Sequence, residues 1–372
     1  MECFTQTKYR KAPKQPLLLM LKEFRVCPVT VEIDLSVAAP SIEFKDPFDL
    51  KGSPSSSQQV NIVEVIHCKG LLLCITEYNK LVVWNPFLGE TKWIQASSRH
   101  YKKKSSFALG YKNNKSCRDY KILRYWQSYK SENQVVEFEI YEFSSDSWRF
   151  LDGISLDYYI HGSGWASLHG NCWGQNRNTY WVGSERKDKD SSIFLLSFDF
   201  TGERFGRLNL PPVLQPMMLS LFREEQISGL HMNYFPLKMD LWVTTNFGTE
   251  AAALSWSKSF TVDLHVLEER YPMFTTFLLD ENKKVVVCLG LVGWDTKKVV
   301  YIIGEDDEYH TEIPYVRSTH KPWWPRIFNY VPSLVQIQQR TKQTRERRMK
   351  QENVMLVKKK RDFILREEKK TQ

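Results

Sequence analysis

Short apolar runs separated by polar turns are the dominant pattern along the chain. Between His67 and Gln95 the sequence reads HCKGLLLCITEYNKLVVWNPFLGETKWIQ. An apolar strand, a polar turn, a strand ending in Trp84, an Asn85-Pro86 to Gly89 turn and a strand carrying Trp93 follow one another. Runs of five to eight residues punctuated by Asn, Pro and Gly predict a meander of antiparallel strands. The unit then recurs. LVVWNPFLGETKWI is anchored on Trp84, FEIYEFSSDSWRFL on Tyr141, FLLSFDFTGERFGRL on Phe198, ALSWSKSFTVDL on Trp256 and VVYIIGEDDEYHTEI on Tyr301. The anchors are 57, 57, 58 and 45 residues apart. A period near fifty with several strands per unit predicts a β-propeller, in which each small sheet buries its faces against its neighbours. The competing architecture is an all-β sandwich whose hairpins recur without true repetition.

The span divided by the period predicts six blades between Leu17 and Ile337, with strands near Leu17–Val26 closing the ring against Pro332–Ile337. Trp84, Trp93, Tyr141, Trp148, Phe198 and Trp256 are the predicted core aromatics, since flat rings pack well on a pleated surface. No helical periodicity and no Pro/Gly-rich linker divides this span, so one β domain over 15–338 is expected, preceded by residues 1–14 and followed by 339–372.

Charge changes the picture at the C-terminal end. The chain carries a formal net charge of +9, yet residues 340–372 hold 13 Lys/Arg against 5 Asp/Glu, so the body is close to neutral. The tail is rich in helix formers, lacks Gly and Pro, and repeats Met349, Leu356 and Phe363 at seven residues. It is expected to be helical or disordered. Two basic clusters within it, Arg345/Arg347/Arg348 and Lys358-Lys359-Lys360-Arg361, fit a nuclear-localisation or polyanion patch. A nucleic-acid partner is not expected beyond weak electrostatics of this tail.

Candidate chemistry is sparse. No phosphate-cradling, dinucleotide, nucleophile-elbow or HExxH pattern occurs, so neither an enzyme nor a cofactor is expected. Ser163 between two glycines after His161 reads as a turn, and His169-Gly170-Asn171-Cys172-Trp173 as a tight turn entering a strand. Asp280-Glu281-Asn282 and Glu305–Glu308 read as hairpin turns, lacking calcium-loop spacing. Cys3, Cys27, Cys68, Cys74, Cys117, Cys172 and Cys288 are odd in number and lack metal spacing. With no signal-peptide layout and no apolar run of membrane-spanning length, a reducing compartment, cytosol or nucleus, is expected, with no membrane partner.

The blocks CKGLLLC, LVVWNPFLGETKWI, FALGYKNNKSCRDYKILRYW, VEFEIYEFSSDSWRFLD, HGNCWG, YWV, LLSFDFTGERFGRLNLP, LWVTT, LSWSKSFTVDL and YVPSLVQI together resemble the plant F-box-associated domain, type 1. They occur in that family's order across most of residues 15–337. The resemblance implies an architecture related to kelch propellers, although the Gly-Gly pairs of kelch blades are missing. It implies a substrate-recognition module of an SCF-type ubiquitin ligase, with a Skp-type adaptor and a cullin as assembly partners and an unknown protein substrate. Phe4–Gln15 resembles the stretch following the last F-box helix, and the helical F-box pattern itself has no counterpart. The chain is therefore expected to lack the F-box, and no adaptor-contact residue can be assigned. An adaptor-independent scaffold, or a decoy binding the same targets, is the alternative.

Overall fold

A computed structural model describes residues 17–337 apart from 34–39, 54–55, 96–104, 115–116, 131–132, 155, 157, 162–166, 174–177, 186–191, 213–216, 223–225, 235, 248–253, 265–272, 293–296, 306–309 and 316–325. Among the described residues all regular structure is strand, and every strand pair is antiparallel. The strands form six radial sheets and one small hairpin, a six-bladed propeller.

From the innermost strand outward, blade one is Arg326–Tyr330, Leu17–Lys22, Arg25–Glu32 and Ser41–Phe44. Blade two is Ile62–Cys68, Leu71–Thr76, Leu81–Asn85 and Glu90–Ile94. Blade three is Ser105–Asn114, Cys117–Lys130, Asn133–Glu142 and Ser147–Phe150. Blade four is built on Asn178–Glu185, Ile193–Asp199 and Arg204–Leu208, and its innermost position is shared by Tyr158–His161 and Ser167–Trp173. Blade five is Met218–Phe222, Gln226–Tyr234, Leu237–Phe247 and Leu254–Asp263. Blade six is Met273–Asp280, Val285–Val292, Lys297–Gly304 and His310–Tyr315. The segment expected to be a turn at His169–Trp173 is thus part of an inner strand.

The near-continuous apolar runs follow from this geometry. Successive side chains of a radial strand point into opposite junctions, and both are dry. Leu19 and Leu21 join the cluster shared with blade two, while Met20 between them joins the cluster shared with blade six. Six hydrophobic clusters result, one at each blade junction.

The 57-residue period has a stereochemical basis. Trp84, Tyr141 and Phe198 occupy the same position on the third strands of blades two, three and four. Each faces the residue seven further along its hairpin: Thr91, Trp148 and Phe205. The turns between them end on residues in the left-handed region, Gly89, Asp146 and Glu203, with φ of 68°, 53° and 51°. Trp256 breaks the series. It lies on the outermost strand of blade five, so its counterpart is Trp148 and not Trp84. That displacement explains why the later anchor spacings are unequal.

The ring closes differently from the expectation. Leu17–Lys22 pairs with Arg326–Tyr330, and Pro332–Ile337 forms no ladder with it. Proline at 332 has no N–H for a central ladder. Instead 331–337 crosses to blade two, where the Asn85 amide donates to the carbonyls of Ser333 (3.0 Å) and Val335 (2.7 Å). The Ile337 N–H donates to Glu90 Oε2 at 2.6 Å, and the Tyr330 hydroxyl donates to the Gly70 carbonyl at 3.2 Å. Gly70, at φ 84°, is pressed against Ser333, and any Cβ there would collide with its side chain.

Candidate interaction surface

The predicted core aromatics hold the scaffold together. Trp84, Tyr141 and Phe198 are buried; Trp93, Trp148 and Trp256 are half-buried against the clusters. The last two share a second task. Trp148 Nε1 donates to the carbonyl of Gln95 at 2.8 Å and Trp256 Nε1 to that of Asn209 at 2.9 Å. Gln95 and Asn209 each follow the outermost strand of the preceding blade by one residue, so these indoles staple blade to blade.

The left-handed turn residues do the same with charge. Asp146 on blade three pairs with Lys92 of blade two at 2.9 Å, and Glu203 on blade four pairs with Arg149 of blade three at 2.5 Å. Lys121 adds contacts to Glu203 at 2.6 Å and Glu142 at 3.4 Å. Burial raises the Glu142 and Glu203 carboxyls, but hydrogen bonds from Arg149 and Lys121 more than offset it, and both titrate below the usual range.

Two faces remain. The entry face is where the innermost strands begin and the second-to-third strand turns sit; the exit face is where the innermost strands end. On the entry face the turn Glu77-Tyr78-Asn79-Lys80 joins two buried strands of blade two. It is braced on every side. Thr76 N donates to the Lys80 carbonyl (2.9 Å), Asn79 N to the Thr76 carbonyl (2.9 Å) and Lys80 N to Thr76 Oγ1 (3.1 Å). Glu77 N donates to the Asn61 carbonyl at 3.0 Å, and Asn61 Nδ2 returns a bond to Glu77 Oε2 at 3.0 Å. Asn79 takes the left-handed conformation its side chain tolerates, φ 56°. The turn holds Tyr78 outward, 74% exposed, the most exposed large apolar side chain among the described residues. The adjacent hairpin of blade one turns through Glu23 and Phe24, both left-handed, and the Phe24 carbonyl accepts from Ile62 N, joining the two blades beneath the turn. On the exit face Phe87, 39% exposed, sits on a turn capped by Asn85 Oδ1.

Tyr78 is thus an exposed aromatic on a turn whose backbone is braced. Tyrosine offers large contact area, a polar tip and little rotamer entropy to lose. In the sequence, residues 77–80 read as a polar turn; the signal for more is a tyrosine inside a turn whose other residues are all polar.

The titratable groups are arranged for burial. Burial lowers His67 to about 3, with Lys69 adding to it. Its Nε2 accepts from Gly70 N at 3.1 Å, and its ring lies 5.9 Å from that of Phe328. Burial pushes the thiols of Cys74 and Cys288 up, out of the reactive range. Among the described residues no group of three or more His, Cys, Asp or Glu could hold a metal ion, and no helix is long and apolar enough to cross a membrane. Arg345, Arg347, Arg348, Lys358, Lys359, Lys360 and Arg361 lie outside the described residues.

The strand pairing defines a class, a closed six-bladed propeller. Comparison with known proteins places it further. The F-box associated beta propeller domain family matches residues 17–337, and the chain belongs to that family. An Arabidopsis thaliana putative F-box/kelch-repeat protein is 50% identical over 341 residues, covering 90% of this chain and 87% of the relative. The Arabidopsis thaliana putative F-box only protein 9 is 45% identical over 343 residues, covering 90% and 86%. Among solved structures, the six-bladed fungal lectin of Aleuria aurantia matches 84% of this chain and 99% of its own with a TM-score of 0.39 and 10% identity. The count of six blades here rests on the strand pairing above.

Proposed function

We propose that this propeller captures protein substrates on its entry face, with Tyr78 as an anchor, and serves as the substrate-recognition part of an SCF-type ubiquitin ligase. The observation that carries the reading is the braced Tyr78 turn, which presents an exposed tyrosine while the predicted core aromatics are packed into the blade junctions. Family membership supports a protein-interaction role, and the relatives carry F-box names. The ligase link brings a Skp-type adaptor and a cullin as proposed partners. The basic clusters at 345–348 and 358–361 are the proposed route to the nucleus.

The test places a photo-crosslinking amino acid at 78 or, as control, at 87 in plant cells. Crosslinks to partner proteins are expected from 78 and not from 87; equal yields from both would overturn the assignment of the entry face. Co-purification with a Skp-type adaptor and cullin tests the ligase link separately. Partner crosslinks without either would favour an adaptor-independent scaffold or decoy.

A further inference from the structure

Apolar exposure is divided between the two faces. Among the described residues three large apolar side chains are exposed: Tyr78 on the entry face, and Leu17 (41%) and Phe87 (39%) on the exit face. The exit-face pair flanks the seam where the ring closes. Leu17 opens its strand opposite Tyr330, the last residue of the innermost strand of blade one. The half-buried Val331 follows, and the chain then crosses to blade two. Phe87 lies on the turn of blade two that receives this crossing, between the half-buried Pro86 and Leu88. One side chain ties turn and crossing together. Asn85 Oδ1 accepts from Phe87 N at 3.1 Å and Leu88 N at 3.3 Å, while its amide donates to the carbonyls of Ser333 and Val335.

The described chain ends at the same place. Ile337 is buried in the cluster between blades two and three, and its N–H donates to Glu90, which closes the turn that carries Phe87. Residues 338–372 lie outside the described residues and leave from this point. The twelve residues from Ile337 to Met349 extend to at most about 40 Å, enough to cross the exit face or to double back onto Phe87. A short tether of this kind sets an effective concentration in the millimolar range. A contact too weak to hold a free peptide is therefore populated within the chain.

The tail supplies groups that such a patch accepts. Val354-Met355-Leu356-Val357 and Phe363-Ile364-Leu365 are apolar runs set among charges, whereas a solvated extension is poor in large apolar residues. On a helix, Met349, Leu356 and Phe363 fall along one side, with Val357 and Ile364 beside them. From Met349 to Phe363 that stripe runs about 21 Å. Asn353 and Lys360 interrupt it, and Lys360 can lay its stem on the apolar surface with its ammonium in water. Residues 1–16, tethered at Leu17, contain no comparable apolar run.

We propose that the exit face is a docking surface for the chain's own C-terminal tail, whose helical stripe of Met349, Leu356 and Phe363 covers Phe87 and Leu17. The docked tail occupies the exit face and leaves the entry face as the open one. The contact is separate from the Tyr78 turn and stands or falls without it.

The test is photo-crosslinking of the purified full chain from a reactive amino acid at 87, with the crosslinked sites mapped by mass spectrometry. An equal mixture of isotopically light and heavy chains separates contacts within one chain from contacts between copies. Crosslinks within one chain to residues 349–364 are expected. The double variant Leu356→Glu/Phe363→Glu alters only residues beyond the propeller, so it tests docking without touching the packed body. It should cut the yield about tenfold, the scale of apolar side chains returned to water. Crosslinks to residues 1–16 instead, crosslinks between light and heavy chains, no crosslink to the tail, or a yield that the double variant leaves unchanged would overturn the proposal.

Discussion

At the scale of single residues, burial decides what each side chain can do. Trp84 packs edge-on to Phe48 at 6.1 Å inside the junction of blades one and two. Trp84→Ala should cost roughly 3–5 kcal/mol in chemical denaturation, since the cavity cannot collapse between two sheets. His67 makes a pH prediction. Its folded pKa lies near 3, below the ordinary value of 6.5, so folding favours the neutral ring. Its contribution is fully present above pH 6.5 and is lost progressively as pH falls toward 3, a penalty on the order of 5 kcal/mol when complete. His67→Gln, which keeps an acceptor for Gly70 N, should flatten the stability profile between pH 6.5 and 3. An unchanged slope would place the acid sensitivity elsewhere.

At the scale of elements, motifs that look functional in sequence turn out to be joints. The Asn85 of "WNP" caps its own turn through Oδ1 and holds the "YVPSLV" segment through Nδ2. Asn85→Ala removes four bonds, two of them to a crossing segment. It should destabilise by about 2–4 kcal/mol, more than an exposed cap loses, because buried carbonyls are left unpaired. Glu203→Gln is the contrasting case. Its pair with Arg149 is partly exposed and should weaken with added salt, while its pair with the buried Lys121, which keeps Glu142 as a second partner, is screened less, so the loss should be about 1–3 kcal/mol with only part of it sensitive to salt. Strand runs, hairpin turns and the 57-residue repeat are legible in sequence because short continuous apolar runs and turn chemistry are local. The equivalence of Trp256 with Trp148 is not, because an aromatic on a third strand and one on an outer strand occupy similar short-range patterns. Only the pairing and the shared indole-to-carbonyl bond separate them.

At the scale of the whole molecule, six blades and a closed ring followed from span and period, but the closing strand did not. "YVPSLV" reads as a strand, and the requirement that a ladder strand supply regular N–H donors shifts closure to Arg326–Tyr330. The interaction face was the least legible feature. Tyr78 is conspicuous only after its neighbours are seen to be buried and its turn braced. The central claim is that this closed scaffold recognises protein partners through that turn. The direct measurement is quantitative affinity purification of the wild-type chain, Tyr78→Ala and Phe87→Ala, each first shown by melting temperature to be folded. Partners recovered with the wild type and Phe87→Ala but lost at least tenfold with Tyr78→Ala are the predicted result. Partners retained by Tyr78→Ala, or lost equally from both variants, would contradict it.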